Sequence, residues 1–173
     1  RRRRSKKSVI ANRGSAYVAL GANIGEPVKH LRAAVDDMTA LPDTLIVARS
    51  SLYRSAPVGL LNQPDFINAV VALDTALAPL ALLRQLLAIE ARHGRVRSVP
   101  NAPRTLDLDL LLYGDRQHND PELVLPHPRM HERAFVLLPL PQIAPDAQIP
   151  KLGAARNFLP AVAGQSIVRS EPI

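Results

Sequence analysis

Arg104-Thr105-Leu106-Asp107-Leu108-Asp109-Leu110-Leu111-Leu112-Tyr113 reads as a strand: polar and apolar residues alternate from Thr105 to Asp109, and an apolar run continues to Tyr113. Side chains two apart on a strand point the same way. Asp107 and Asp109 therefore share one face, and Leu106, Leu108 and Leu110 share the other. Two carboxylates side by side on a mostly buried strand repel each other and lose hydration. A divalent cation or a bound proton would offset that penalty. Oxygen donors favour a hard cation such as Mg²⁺, which takes one or two carboxylates and completes its shell with substrate phosphates. The same alternation also suits a solvated face on an open antiparallel sheet.

Working toward the N-terminus, the loop at 95–104 follows Arg92 and His93 and holds Arg95, Arg97 and Arg104, with no acid before Asp107. Arginine presents a planar fork to phosphate oxygens, so a cationic loop beside paired carboxylates suits a polyphosphate. Before it, Pro79 to about Arg92 has helical spacing, with Leu80, Leu83, Leu86, Leu87 and Glu90 on the expected inward stripe and Gly94 as the cap. A buried Glu90 needs a partner, either a nearby arginine or a ligand donor such as a ribose hydroxyl. Phe66–Thr75 reads as a strand, antiparallel to another over residues 44–54, with a turn-rich loop at 55–64 between them. Glu26-Pro27 opens a helix whose stripe is Leu31, Ala34, Val35, Met38 and Leu41. Tyr17–Leu20 reads as the first strand, broken by Gly21-Ala22-Asn23-Ile24-Gly25. The order strand–helix–strand–strand–helix–strand is the split βαβ pattern. The expected class is therefore α+β: a ferredoxin-like βαββαβ sandwich, mainly antiparallel, with helices on one face and C-terminal additions. Those additions are a short helix from Arg129 to Leu138, then a loose proline-rich stretch with one small element near residues 154–159.

The 173 residues are 47% hydrophobic but only 3% aromatic, so Leu, Ala and Val must build the core of a single domain. No Cys is present, which excludes disulfides and thiolate metal sites. No apolar run is long enough to cross a bilayer, and the basic start lacks the apolar core of a secretory signal. A cytoplasmic location is expected, with no membrane partner. Seven of the 22 basic residues fall within residues 1–13, which hold no acid; the rest carries 15 basic and 15 acidic residues. The net charge of +7 thus belongs to a tail, expected to be disordered over residues 1–14, and the domain at 15–173 is neutral.

Phe66 and Asn68 fall on one face of their strand, an aromatic plate beside an amide, which suits a flat heterocycle. Phe135 and Phe158 are candidates for a second plate or for the core. His127, held between Pro126 and Pro128, is expected to be rigid and exposed. There is no P-loop, no glycine-rich dinucleotide fingerprint and no HExxH motif.

Taken together, these segments resemble the 6-hydroxymethyl-7,8-dihydropterin pyrophosphokinases of folate biosynthesis, over about residues 16–150. The resemblance is carried by Gly21-Ala22-Asn23-Ile24-Gly25, Ser50 to Ser55, Gln63-Pro64-Asp65-Phe66-Ile67-Asn68, Glu90 through Gly94-Arg95-Val96-Arg97, Pro126-His127 with Arg133 and Phe135, and above all Arg104 to Asp109. It implies transfer of pyrophosphate from ATP to the hydroxymethyl group of the pterin, releasing AMP. It implies Asp107 and Asp109 as ligands of two Mg²⁺ ions. Arg95, Arg97, Arg104, His127 and Arg133 would be the phosphate and nucleotide contacts, Arg95 and Arg104 acting in catalysis with the two carboxylates. Glu90 would hold the sugar, and Leu110 would join the ATP site. Phe66 and Phe135 would sandwich the pterin, Asn68 would bond its polar edge, main-chain groups near Ser55 and Val58 would complete the pocket, and Asn23 would lie at the pterin end. The substrates are then the expected partners of a monomer.

Some positions depart from the family pattern. Asn101 stands where a loop Trp is common and Ala102 where Gly is usual; Leu87 replaces a frequent Gln, and Pro128 a frequent Tyr. The rival reading is a ferredoxin-like RNA-binding module with a basic tail, which needs aromatic plates on adjacent strands and a basic sheet face. Three Phe, three Tyr and a neutral domain argue against it, so no nucleic-acid partner is expected for the domain.

Overall fold

The computed structural model describes residues 13–95, 100–101 and 103–173. Its elements are β1 (Gly14–Ala22), α1 (Pro27–Thr39), β2 (Thr44–Arg49), β3 (Ser51–Ser55), β4 (Phe66–Thr75), α2 (Pro79–Arg92), β5 (Asp107–Tyr113), β6 (His118–Asn119), β7 (Val124–Leu125), α3 (Ala134–Leu137), α4 (Pro139–Ile143), β8 (Gln148–Ile149), β9 (Gly153–Ala154) and β10 (Ile167–Pro172). The main sheet runs β10-β3-β4-β1-β5, with β2 paired to β4 beyond β3, and every pairing is antiparallel. β1 and the β2/β3 pair thus flank β4, as the split βαβ order requires.

Alternation divides the sheet into two faces. Val18, Leu20, Ile67, Ala69, Val71, Leu73, Leu108 and Leu110 pack with Leu31, Val35, Met38, Leu82, Leu86 and Ile89 of the two long helices. Each such fully buried side chain contributes about 2 kcal/mol of apolar transfer. The opposite face is also covered: Ala19, Val70, Leu111 and Leu112 meet Met130, Val136, Leu137 and Leu140. The two long helices thus share one face, as expected, and the short helices of the C-terminal additions cover the other. The pairing of β1 with β5 shifts register at Tyr17/Val18, so Leu111 is passed over between Leu110 and Leu112. This lets both Leu111 and Leu112 enter the second core although they are adjacent in sequence.

Four local expectations change. Residues 44–54 form two strands, because the Ser50 hydroxyl accepts the Val70 amide at 2.9 Å and interrupts the ladder. The buried stripe of α2 is Pro79, Leu82, Leu86, Ile89 and Glu90, whereas Leu87 faces solvent. The helix expected over Arg129–Leu138 is a 3₁₀ turn at Met130–Glu132 followed by two short helices, α4 restarting at Pro139. β10 pairs with β3 in the stretch expected to be loose; its residues are mostly exposed, so no period marks it. The tail expected over residues 1–14 lies outside the described residues up to 12. Arg13 bonds Asp74 at 2.8 Å, and Gly14 opens β1.

Candidate active site

β5 brings Asp107 and Asp109 out on the face opposite the long helices, where α3 and the loop before it leave a cavity of ≈ 200 Å³. β4 supplies Phe66 and Asn68 to its wall, β3 ends at Ser55, and Ala56 and Val58 follow. Arg104, Arg133 and Phe135 complete the set anticipated from sequence. Asn101, Arg129, Glu132 and Gln165 also line the cavity.

Two arginine–aspartate pairs span the wall. Arg104 Nη1 donates to Asp107 Oδ2 at 2.8 Å, and Arg133 Nη1 lies 3.8 Å from Asp109 Oδ2. Each guanidinium also stands over a ring, Arg104 at 5.4 Å from the Phe66 centroid and Arg133 at 5.3 Å from that of Phe135. Burial holds the Arg133 pKa below its usual value, an effect that Asp109 partly opposes. The Asn68 amide donates to the Ser55 hydroxyl at 2.7 Å, which fixes the side chain at the cavity wall.

His127 is half-buried, contrary to its expected exposure. It follows a cis Leu125–Pro126 bond, and its main-chain N–H donates to Leu111 O at 2.9 Å. Its Nδ1 accepts the Arg129 amide at 3.2 Å, which leaves Nε2 to carry the proton, 4.0 Å from Asp109 Oδ1. Burial, with repulsion from Arg133, lowers its pKa to about 4, so the ring is neutral at pH 7.

Other anticipated residues lie behind the wall. Leu110 points into the long-helix core, on the face away from the carboxylates, so its side chain does not enter the cavity. Glu90 is buried, and its Oε2 accepts the Leu108 amide at 2.7 Å, midway between the two aspartates. It thus grips β5 from beneath. The Asn23 amide is committed to protein: Nδ2 donates to Gln63 Oε1 at 2.7 Å and Pro64 O at 3.0 Å, while Oδ1 accepts the Arg104 amide at 2.9 Å. It joins the loops behind Phe66 and Arg104 and does not line the cavity. Gln63 extends the junction by donating to Asn101 O at 2.8 Å. Arg95 follows the end of α2, its amide bonded to Glu90 O at 3.1 Å, and is not part of the cavity wall. That helix end is braced by His93 Nε2 at 2.9 Å from Asp37 Oδ2. Arg97 lies outside the described residues. Of the residues not anticipated, Arg129 lies in the chain between His127 and Arg133, both of which were; Gln165 had no sequence signal and is placed by its bonds to Ala134 and Glu132.

The profile of the 7,8-dihydro-6-hydroxymethylpterin-pyrophosphokinases (HPPK) matches residues 17–145. The chain belongs to this family. The HPPK of Pseudomonas aeruginosa is 53% identical over 134 residues, covering 78% of this chain and 83% of its own. That of Haemophilus influenzae is 41% identical over 158 residues, covering 91% and 99%. Among solved structures, a Plasmodium falciparum HPPK-DHPS with pteroate superposes with a TM-score of 0.67 at 15% identity, over 89% of this chain and 44% of that one. This last likeness bears on the fold alone. As an HPPK, the chain is a pyrophosphokinase of folate biosynthesis and an ATP-binding transferase. The RNA-binding alternative falls with this assignment; the sheet face such a module would use is covered here by α3 and α4. Among the described residues no helix is long and apolar enough to cross a membrane.

Proposed function

We propose that this HPPK transfers pyrophosphate by in-line attack of the pterin hydroxymethyl oxygen on the β-phosphorus of ATP. The new bond joins that oxygen to the β-phosphorus, the bond from the β-phosphorus to the oxygen bridging it to the α-phosphorus breaks, AMP departs, and the hydroxyl proton is lost to solvent. The observation that carries the reading is one cavity that brings Asp107 and Asp109, with Arg104 and Arg133, beside Phe66, Phe135 and Asn68. The first group suits a triphosphate, and the second suits a flat neutral ring.

The donor set fits Mg²⁺. Asp107 and Asp109 offer hard oxygens from one strand face. Among the described residues no cluster of three or more acidic, His or Cys side chains is placed to hold a metal. Remaining ligands would then come from phosphates and water, the usual arrangement for Mg²⁺ at a nucleotide. We assign Asp107 and Asp109 as ligands of two such ions. When bound, Mg²⁺ supplies Lewis-acid polarisation and neutralises phosphoryl charge.

The chain's own residues do the rest by alignment and electrostatics. Arg104 and Arg133 would turn from their carboxylates toward phosphate oxygens, and Arg95 and Arg97 would add charge from the basic loop. His127, neutral with Nε2–H, is a donor without charge. Phe66 and Phe135 would clasp the pterin, with Asn68 and main chain near Ser55 and Val58 on its edge. Asn23 and Glu90 position Arg104 and β5 from behind. A monomer in the cytoplasm, where ATP is abundant, fits this chemistry.

The test is AMP formation from ATP, Mg²⁺ and 6-hydroxymethyl-7,8-dihydropterin, followed by chromatography with controls lacking pterin or Mg²⁺. AMP and pyrophosphorylated pterin are expected one for one. ADP as product, or turnover in chelator, would overturn the mechanism.

A further inference from the structure

Among the described residues three arginines line the cavity, and two of them lie against the carboxylates opposite. Arg104 is bonded to Asp107 at 2.8 Å, and Arg133 lies 3.8 Å from Asp109. Arg129 differs. It is exposed at the mouth of the same cavity, and among the described residues no carboxylate lies within 4.0 Å of it. Glu132, the third acid of the wall, stands instead 3.7 Å from His131.

The Arg129 backbone is anchored. Its amide donates to His127 Nδ1 at 3.2 Å, and its carbonyl accepts the Glu132 amide at 3.0 Å. The side chain therefore leaves from a defined point, and among the described residues its guanidinium makes no ion pair. Its charge is felt at the site, since Arg129 disfavours the protonated forms of both His127 and Arg133. An unpaired guanidinium facing a cleft gains most from a multivalent anion whose oxygens match its fork. The pterin, being flat and neutral, offers no such partner; the triphosphate does.

We propose that Arg129 is a further nucleotide-binding residue, which contacts the triphosphate of ATP and adds a positive charge outside the two arginine–aspartate pairs. The proposal rests on the pyrophosphokinase reading of this cavity. Asp107 and Asp109 face the metal ions in that reading and Arg104 and Arg133 lie against them. Arg129 stands outside that pairing, so its contribution is to ground-state capture of the nucleotide more than to the chemical step.

The test uses the full chain with Arg129→Ala, Arg129→Lys and Arg129→Glu. Binding of Mg²⁺ with a non-hydrolysable ATP analogue is followed by calorimetry, and KM for ATP, KM for pterin and kcat are measured separately. Arg129→Ala is expected to weaken nucleotide binding about tenfold, the worth of one charge-assisted contact. Pterin KM should stay within about twofold, Arg129→Lys should recover only part of the loss because it keeps the charge without the fork, and Arg129→Glu should be worse than Ala. Nucleotide affinity within twofold of the parent in Arg129→Ala, or a rise in pterin KM instead, would overturn the proposal. Calorimetry does not depend on turnover, so a parent protein that makes no AMP would refute the pyrophosphokinase reading separately.

Discussion

Asn23→Ala should separate a positioning asparagine from a substrate-binding one. Asn23 is 2% exposed, and its side chain makes three hydrogen bonds, to Gln63, Pro64 and the Arg104 amide. Truncation removes all three and leaves the Arg104 N–H without its side-chain acceptor. At a net 1 kcal/mol each, the loss is about 3 kcal/mol. For a chain of this size that corresponds to a fall in Tm of roughly 6–12 °C. Urea unfolding at pH 7 measures the first figure and calorimetry the second. Because Arg104 Nη1 holds Asp107 at 2.8 Å, kcat should fall as well, while pterin affinity changes little. Asn23→Asp keeps an acceptor for Arg104 but buries a carboxylate against the Gln63 and Pro64 oxygens, so it should be no more stable than Ala. A cycle with Gln63→Ala should return a coupling of about 1 kcal/mol, since the two amides share a 2.7 Å bond. A loss under about 1 kcal/mol with unchanged kcat would refute the reasoning.

Asp107→Asn and Asp109→Asn should each lower kcat on the order of 10³-fold, the worth of several kcal/mol of metal-assisted charge stabilisation, with an unchanged circular dichroism spectrum. Near-parental turnover in either variant would remove that residue from the metal site. Burial lowers the His127 pKa in the folded protein from its ordinary 6.5 to about 4. Below 6.5 the unfolded chain binds the proton and the folded one does not, so stability is complete above that pH and falls between 6.5 and 4. At pH 5 the ligand-free protein should have lost about 2 kcal/mol more than His127→Gln, by urea unfolding; parallel pH profiles would contradict this. Leu86→Ala should cost about 3 kcal/mol, whereas Leu87→Ala should stay within about 0.5 kcal/mol, because only the former is buried. Equal effects in thermal unfolding would mean that the stripe is misassigned.

How much could be read from the chain varies with how local the cause is. The alternation around Asp107 and Asp109 was legible because strand geometry alone puts both on one face. The stripe of α1 was legible because Leu31, Ala34, Val35 and Met38 are the only spacing that buries apolar residues there. In α2 nearly every position is apolar, so the pattern could not choose a face; packing chose Leu82 and Ile89 and left Leu87 outside. β10 carries no pattern since it is an exposed edge, and only its pairing with β3 makes it a strand.

At the cavity, residue types pointed to the chemistry: acids for a cation, arginines for phosphate, Phe and Asn for a flat ring. Period and residue type belong to the chain and survive without a partner, so they announce the α+β order and the inventory of the site. Commitment is different. Whether Asn23 meets a ligand or the Arg104 amide, whether Glu90 is open or holds Leu108, and whether a guanidinium is paired like Arg104 or unpaired like Arg129 depend on which groups arrive from distant segments. Hydrogen bonds and ion pairs act within a few ångströms, and only the folded chain sets those distances.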